Sequence, residues 1–215
     1  AVAYGLYPEL LARLGHGFAT VATQYVPDGI FGFNPGITAP TSDLAKAREA
    51  LNSVGEDVQP FILDLPLGLE VFGDAIKKQL AQIGLAVTTR FSSPHELGFQ
   101  ILSGKSDFFF FGWRNDLGDA SDFLTAVVHR RAGDLGHFNG RNYSNSEVDR
   151  LIEESVATVE QDVRLLKMRE AMKIITEDDI IGVPLFSPDV LYAVSNKLSW
   201  KPRVDGFILA SEVKM

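Results

Sequence analysis

The hydrophobic pattern in the middle of the chain predicts three β-strands that alternate with two helices. Strand-sized apolar runs occupy residues 58–65, 85–91 and 107–112. Apolar residues recur at helical spacing through 69–83, and Ser93-Pro94-His95-Glu96 has the pattern of a capping box that opens a second helix. Alternating strands and helices with short links predict a parallel sheet with right-handed crossovers.

Two features of these runs predict which residues are buried. In the first strand we expect Ile62, Leu63 and Leu65 to point inward. The last strand carries four consecutive phenylalanines, Phe108 to Phe111. An apolar run without alternation is typical of a strand that is covered on both faces in the middle of a parallel sheet. We therefore expect all four phenylalanines to be mostly buried.

The rest of the chain is mainly helical. A short helix interrupted at Pro8 is predicted within residues 1–14, and residues 25–40 read as an extended stretch that packs on a neighbouring element. Thr41 or Ser42 is predicted to cap a helix that ends near residue 54. Further elements are predicted at 119–128, from the capping box Ser144-Asn145-Ser146-Glu147, at 162–178, and as strands around a Ser187-Pro188-Asp189 turn within 181–194.

Composition narrows the class of protein. The 215 residues weigh 23.6 kDa and are 46% apolar, so the chain can bury roughly 70% of its unfolded surface and is not predominantly disordered. No apolar run approaches the ~20 residues of a membrane span, so direct membrane insertion is not predicted. The net charge of −8 repels phosphate backbones and disfavours a nucleic-acid partner.

Motifs of catalysis and of metal or cofactor binding are not found. The chain has no cysteine, and His16, His95, His129 and His137 lack the spacing of a zinc site. Gly104-Lys105-Ser106 resembles the end of a phosphate loop, but it follows a helix and its first glycine is missing. The sequence therefore predicts no metal, no cofactor and no catalytic residue, and favours a binding protein over an enzyme.

The segment after the phenylalanine run is the candidate binding site. Trp113, Arg114, Asn115, Asp116 and Asp119 follow the last predicted strand within a few residues. Ligands of open α/β sheets bind beyond the carboxyl ends of the strands. An aromatic ring beside a carboxylate suits a ligand with an ammonium group and an apolar part. The alternative is an ordinary strand-to-helix loop in which an aspartate caps the helix.

Five segments in this order resemble the family-five extracellular solute-binding proteins of ABC importers, the oligopeptide-, dipeptide- and nickel-binding group. The resemblance lies in the start at Ala1-Val2-Ala3-Tyr4, the helix 43–51, the loop Gly112-Trp113 with Asp116 and Gly118-Asp119-Ala120, the strand Ile181-Gly182-Val183-Pro184-Leu185, and Trp200-Lys201-Pro202-Arg203 with Asp205. The segment 142–151 also resembles the family.

The resemblance implies an α/β fold, namely one lobe of a type II periplasmic binding protein with a partly parallel central sheet flanked by helices. Residues 1–195 would be the second ligand-binding lobe, and 196–215 a return segment that packs on a first lobe absent from this chain. The implied role is periplasmic capture of a small ligand, such as a peptide, between two lobes and its delivery to an ABC permease in the membrane.

The resemblance also assigns residues. Asp116 stands where peptide-binding members pair with the α-ammonium, and Trp113 stands at the family tryptophan. Phe110 occupies the position at which some members carry an arginine for the peptide carboxylate. Peptide, glutathione-like, opine, sugar and metal-chelate ligands all occur on such scaffolds. Two other functions stay open: an α/β enzyme with its active site at 113–119, and the sensor lobe of a transcriptional regulator.

Overall fold

The computed structural model describes residues 1–38, 41–55, 60–203 and 206–214. Within these ranges the α-helices are α1 (Val2–Gly5), α2 (Pro8–Arg13), α3 (Leu44–Asn52), α4 (Glu70–Ala81), α5 (Pro94–Leu102), α6 (Ser121–Phe123), α7 (Ser146–Ala157) and α8 (Gln161–Lys173). The strands are β1 (Ala19–Val21), β2 (Phe61–Pro66), β3 (Val87–Ser92), β4 (Phe108–Phe109) and β5 (Phe186–Pro188). Helices α6 and α8 each continue into one π-helical turn, Leu124–Val128 and Ile174–Asp178.

The predicted parallel sheet is present, in the order β3-β2-β4. Leu63 of β2 lies opposite Thr89 of β3 on one side and Phe108 of β4 on the other. The prediction of mutually parallel strands is therefore confirmed, although residues 58 and 59 of the first predicted strand lie outside the described residues. Ile62 is exposed instead of inward, and Leu63, Asp64 and Leu65 take the buried places of β2.

The burial predicted for the four phenylalanines is wrong. Strand β2 holds the centre of the sheet, and β4 pairs with it along one side only among the described strands. Phe108, Phe109 and Phe110 are half-buried, and Phe111 is 40% exposed. This result follows from the position of β4, which is only two residues long and lies at the edge of the sheet. An edge strand lacks a second neighbouring strand and is less enclosed than a central one.

Helix caps follow the predicted chemistry, with shifts at two positions. The Ser93–Glu96 capping box is present, with Ser93 N donating to Glu96 at 3.0 Å. Asp43 caps α3 instead of Ser42 or Thr41, since its carboxylate accepts from two backbone N–H groups at 3.0 Å. Asn145 caps α7, one residue after the predicted start. A side chain at the N-cap reaches the free amides of the first turn.

Two hydrophobic cores lie side by side. One packs the sheet against α2 and α4, with buried residues such as Leu11, Leu65 and Leu80. The other joins α6, α7 and α8 and takes in Val26, Ile30 and Ile37 of the extended stretch. The predicted packing of that stretch on a neighbouring element is therefore confirmed for the described part of 25–40.

A separate antiparallel pair, β1 and β5, contradicts the predicted turn at 187–189. Ser187 and Pro188 lie in β5, opposite Thr20 and Ala19 of β1. Three-residue strands give too short a pattern to be recognised from sequence, and proline is tolerated at the end of an edge strand. Among the described helices, none has the length and apolar character needed to cross a membrane.

Candidate functional site

The candidate site is the loop that leads from the carboxyl end of β4 to α6. Its far end is fixed by backbone hydrogen bonds to the extended stretch: Phe31 N donates to Gly118 O at 3.1 Å, and Ala120 N donates to Phe31 O at 2.8 Å. The loop therefore spans the two hydrophobic cores, since Phe31 packs against the helical core and β4 belongs to the sheet.

Trp113 lies at the centre of a group of aromatic rings. It packs edge-on against buried Phe123, with ring centroids 6.2 Å apart, and is half-buried itself. On its other sides it stacks on Phe111 at 6.0 Å and meets Phe138 edge-on at 5.5 Å. Phe138 was not predicted as a site residue, because it lies in a distant irregular loop where no periodicity or motif singles it out.

Arg114 and Asp116 form an ion pair within the loop. Arg114 Nε lies 2.8 Å from Asp116 Oδ1, and the two side chains are 60% and 54% exposed. Arg114 also lies directly against Gly206, because a Cβ atom at that glycine would be 2.0 Å from Arg114 Nη2. Exposed ion pairs contribute about 0–1 kcal/mol, so the Asp116 carboxylate can exchange this partner for another cation at little cost.

Asn115 is buried between these two exposed residues. Its side-chain Oδ1 is buried with no hydrogen-bond partner among the described residues, and its backbone carbonyl accepts from Gly118 N at 3.2 Å. Burial raises the pKa of Asp122, which lies in α6 directly after the loop. The nearby Trp113 indole opposes part of that rise, although the indole N–H makes no hydrogen bond of ordinary geometry. The inner side of the loop is thus desolvated.

Asp119 ties the loop to α8. Arg164 donates to both carboxylate oxygens, at 2.6 and 3.1 Å, and Ser121 N donates to Oδ1 at 2.8 Å. Burial by itself would raise the pKa of Asp119, but the hydrogen bonds from Arg164 and Ser121 outweigh it and hold the pKa below the ordinary range. The carboxylate is thus engaged inside the protein, whereas that of Asp116 faces solvent.

Replacing Asp119 with asparagine is expected to lower the free energy of unfolding by about 2 kcal/mol at pH 7, because charge-assisted hydrogen bonds are lost. The lowered pKa sets the sign of the pH dependence. The carboxylate stabilises the fold above the ordinary aspartate pKa of about 4, and this contribution is lost as the pH falls through the lowered value. Urea denaturation at both ends of this range should show the difference between variant and wild type shrinking in acid. An equal difference at both pH values contradicts this account.

The described ranges hold no group of three or more histidine, aspartate or glutamate side chains that could bind a metal ion. His129 is fully buried, with Nε2 2.9 Å from Glu153 and Nδ1 2.6 Å from the Arg130 carbonyl. These contacts hold it within the fold, at the end of the π-helical turn that follows α6.

The structure thus shows a parallel sheet with a loop beyond its carboxyl end that presents an aromatic ring and a carboxylate, the place where open α/β sheets bind ligands. Residues 1–134 match the model of the bacterial extracellular solute-binding proteins, family 5, in its middle part. The chain therefore belongs to this family, as the resemblance implied. The family and its structural neighbours are substrate-binding proteins, not enzymes.

Known relatives agree with this assignment. The chain is 27% identical over 185 residues to the probable di/tripeptide-binding protein 5 of Pseudomonas aeruginosa, a match that covers 83% of this chain and 34% of the relative. The chain spans about a third of the length of the curated relatives it matches.

Solved structures confirm the predicted fold class. HbpA2 from Haemophilus parasuis superposes with a TM-score of 0.83 at 17% identity, over 100% of this chain and 44% of that one. The periplasmic binding protein DppA from Helicobacter pylori, in complex with the peptide STSA, superposes with a TM-score of 0.77 at 23% identity, over 87% and 37%. The fold is therefore that of a type II periplasmic binding protein.

Proposed function

We propose that this chain is the second lobe of a periplasmic substrate-binding protein that captures a small peptide and delivers it to an ABC permease. The observation that carries the proposal is the exposed Asp116 carboxylate, three residues after Trp113 in the loop beyond the carboxyl end of β4. The family match, which includes this loop, and the di/tripeptide-binding relative support it.

In this proposal the Arg114–Asp116 pair opens when the ligand arrives. The α-ammonium group of the peptide replaces the Arg114 guanidinium at Asp116. This exchange costs little free energy, because Arg114 and Asp116 are both exposed. Arg114 is the cation of the loop, so it is the candidate partner for a ligand carboxylate, while half-buried Phe110 offers no charge at the position where some family members carry an arginine. Closure of the first lobe over this one then removes water and strengthens both ion pairs.

The remaining predicted site residues have supporting roles in this proposal. Asp119 holds the loop on α8 through Arg164, so it positions Asp116 without touching the ligand. Asn115, buried behind the loop surface, orients the backbone between Trp113 and Asp116. We propose that an additional lobe covers the end of the chain, because Phe207, Ile208 and Leu209 are exposed there. Residues 196–215 are thus proposed to be the return segment that packs on the first lobe.

A thermal-shift screen of the complete protein tests this function. A ligand that binds only the folded state raises Tm in proportion to the logarithm of its concentration. Di- and tripeptides with a free amino terminus should raise Tm, and their N-acetylated forms should not. Stabilisation by sugars or nickel alone, with no response to peptides, would overturn the proposal.

A further inference from the structure

Three aromatic side chains form a continuous patch, here called the aromatic surface: Phe111, Trp113 and Phe138. Trp113 is the central ring, and its contacts to Phe111 and Phe138 are 6.0 and 5.5 Å between centroids. The outer two rings are 40% and 45% exposed. The inner side of Trp113 is closed by Phe123, so the patch has a packed base and an open outer side.

The position of Phe138 is set by the backbone around it. Phe138 N donates to Ala126 O at 2.8 Å, which fixes the loop against the π-helical turn. Gly136 has φ +70°, and a Cβ atom there would lie 2.4 Å from the His129 carbonyl oxygen, so only glycine fits this approach.

The next residue along this loop holds it from the other side. The buried Asn139 amide donates to the carbonyls of His129, at 3.1 Å, and Tyr143, at 2.8 Å. Phe138 is thus presented to Trp113 by a rigid loop. A surface that needs no ordering on binding loses little conformational entropy.

The neighbouring charge indicates what this surface accepts. Asp116 follows Trp113 by three residues, so the Cα atoms of these two residues lie at most about 11 Å apart. A ligand that places an ammonium group on Asp116 therefore brings the side chain of its first or second residue over the rings. Aromatic pairs prefer edge-to-face or offset contacts, which the two exposed rings can each complete with one more ring.

We propose that the aromatic surface makes this chain selective for peptides that carry an aromatic side chain in the first or second residue, with Phe138 as a specificity-determining residue. This inference rests on the proposed peptide-binding function. The three aromatic side chains determine the proposed class of ligand. One of them, Phe138, lies outside residues 1–134, the part of the chain that the family model matches.

Calorimetry on the complete protein tests the inference with tripeptides that differ in one side chain. Phe-Ala-Ala and Ala-Phe-Ala are compared with Leu-Ala-Ala and Ala-Leu-Ala, because leucine keeps the apolar character without a π face. We expect the better phenylalanine peptide to bind about tenfold more tightly than its leucine counterpart. Phe138→Leu should reduce this ratio to within about twofold.

Phe18→Leu is the matched control, since Phe18 is 50% exposed and lies directly before β1, on the separate two-stranded sheet. It should keep the wild-type ratio. Peptide binding without aromatic preference, or a preference that survives Phe138→Leu, overturns this inference and leaves the proposed function intact. Failure of every tripeptide to bind overturns both.

Discussion

Replacing Phe123 with alanine is expected to lower the free energy of unfolding by about 3–5 kcal/mol, because a fully enclosed aromatic side chain leaves a cavity. Phe123 is 3% exposed, stacks on Tyr25 at 5.2 Å and supports the inner edge of Trp113. It therefore joins the extended stretch, α6 and the candidate loop. Urea denaturation followed by tryptophan fluorescence measures the loss, with Trp113 and Trp200 both contributing to the signal.

Phe111→Ala is the matched control for this measurement. Phe111 also touches Trp113, but its 40% exposure leaves less area to lose and lets water fill the space. We expect a change of at most about 1 kcal/mol. Equal losses for the two variants would show that the helical core does not depend on Phe123 in the way described here.

The strand and helix pattern of the sheet was predictable from local signals. The helical spacing of apolar residues, the glycines that end helices and the Ser93–Glu96 capping box each involve residues within one or two turns. They therefore predict helices without knowledge of tertiary contacts. Parallel pairing follows from the alternation of strands and helices. These features recur in the structure with shifts of a few residues.

The position of β4 at the sheet edge could not be read in the same way. Four consecutive phenylalanines satisfy the pattern of a buried central strand, but burial depends on which strands become neighbours. The buried Asp64 in β2 shows the same limit. Arg90 Nη2 donates to it at 2.7 Å, and Arg90 Nε and Ser106 Oγ also donate, so two residues from separate segments of the chain satisfy this one carboxylate.

The candidate site was predictable in part. The loop from Trp113 to Asp119 could be identified because a cluster of aromatic and charged residues directly follows a predicted apolar strand and precedes a predicted helix. The sequence did not show that Asp119 is engaged inside the protein while Asp116 is exposed, because the Arg164 that binds Asp119 lies 45 residues away. Phe138 likewise meets Trp113 only through the fold of its loop.

Calorimetry of Asp116→Asn in the complete protein tests the central claim, that this loop binds the amino terminus of a peptide. Asparagine keeps the size of the side chain and removes its charge. Loss of one partner from an ion pair that becomes desolvated on closure costs about 3–5 kcal/mol, which corresponds to an affinity loss on the order of a hundredfold to several thousandfold. The stability of the free protein should change little, because the pair with Arg114 is exposed.

Asp107→Asn is the control variant for this measurement. Asp107 directly precedes β4, at the opposite end of the strand, and also forms an exposed ion pair, with Arg141 Nη1 at 2.5 Å. Its substitution removes the same charge and should leave peptide affinity unchanged. The account predicts that only Asp116→Asn weakens binding of a tripeptide with a free amino terminus, by at least about a hundredfold. Equal affinity of wild type and Asp116→Asn for that peptide would contradict it and reduce Asp116 to a residue of the loop surface.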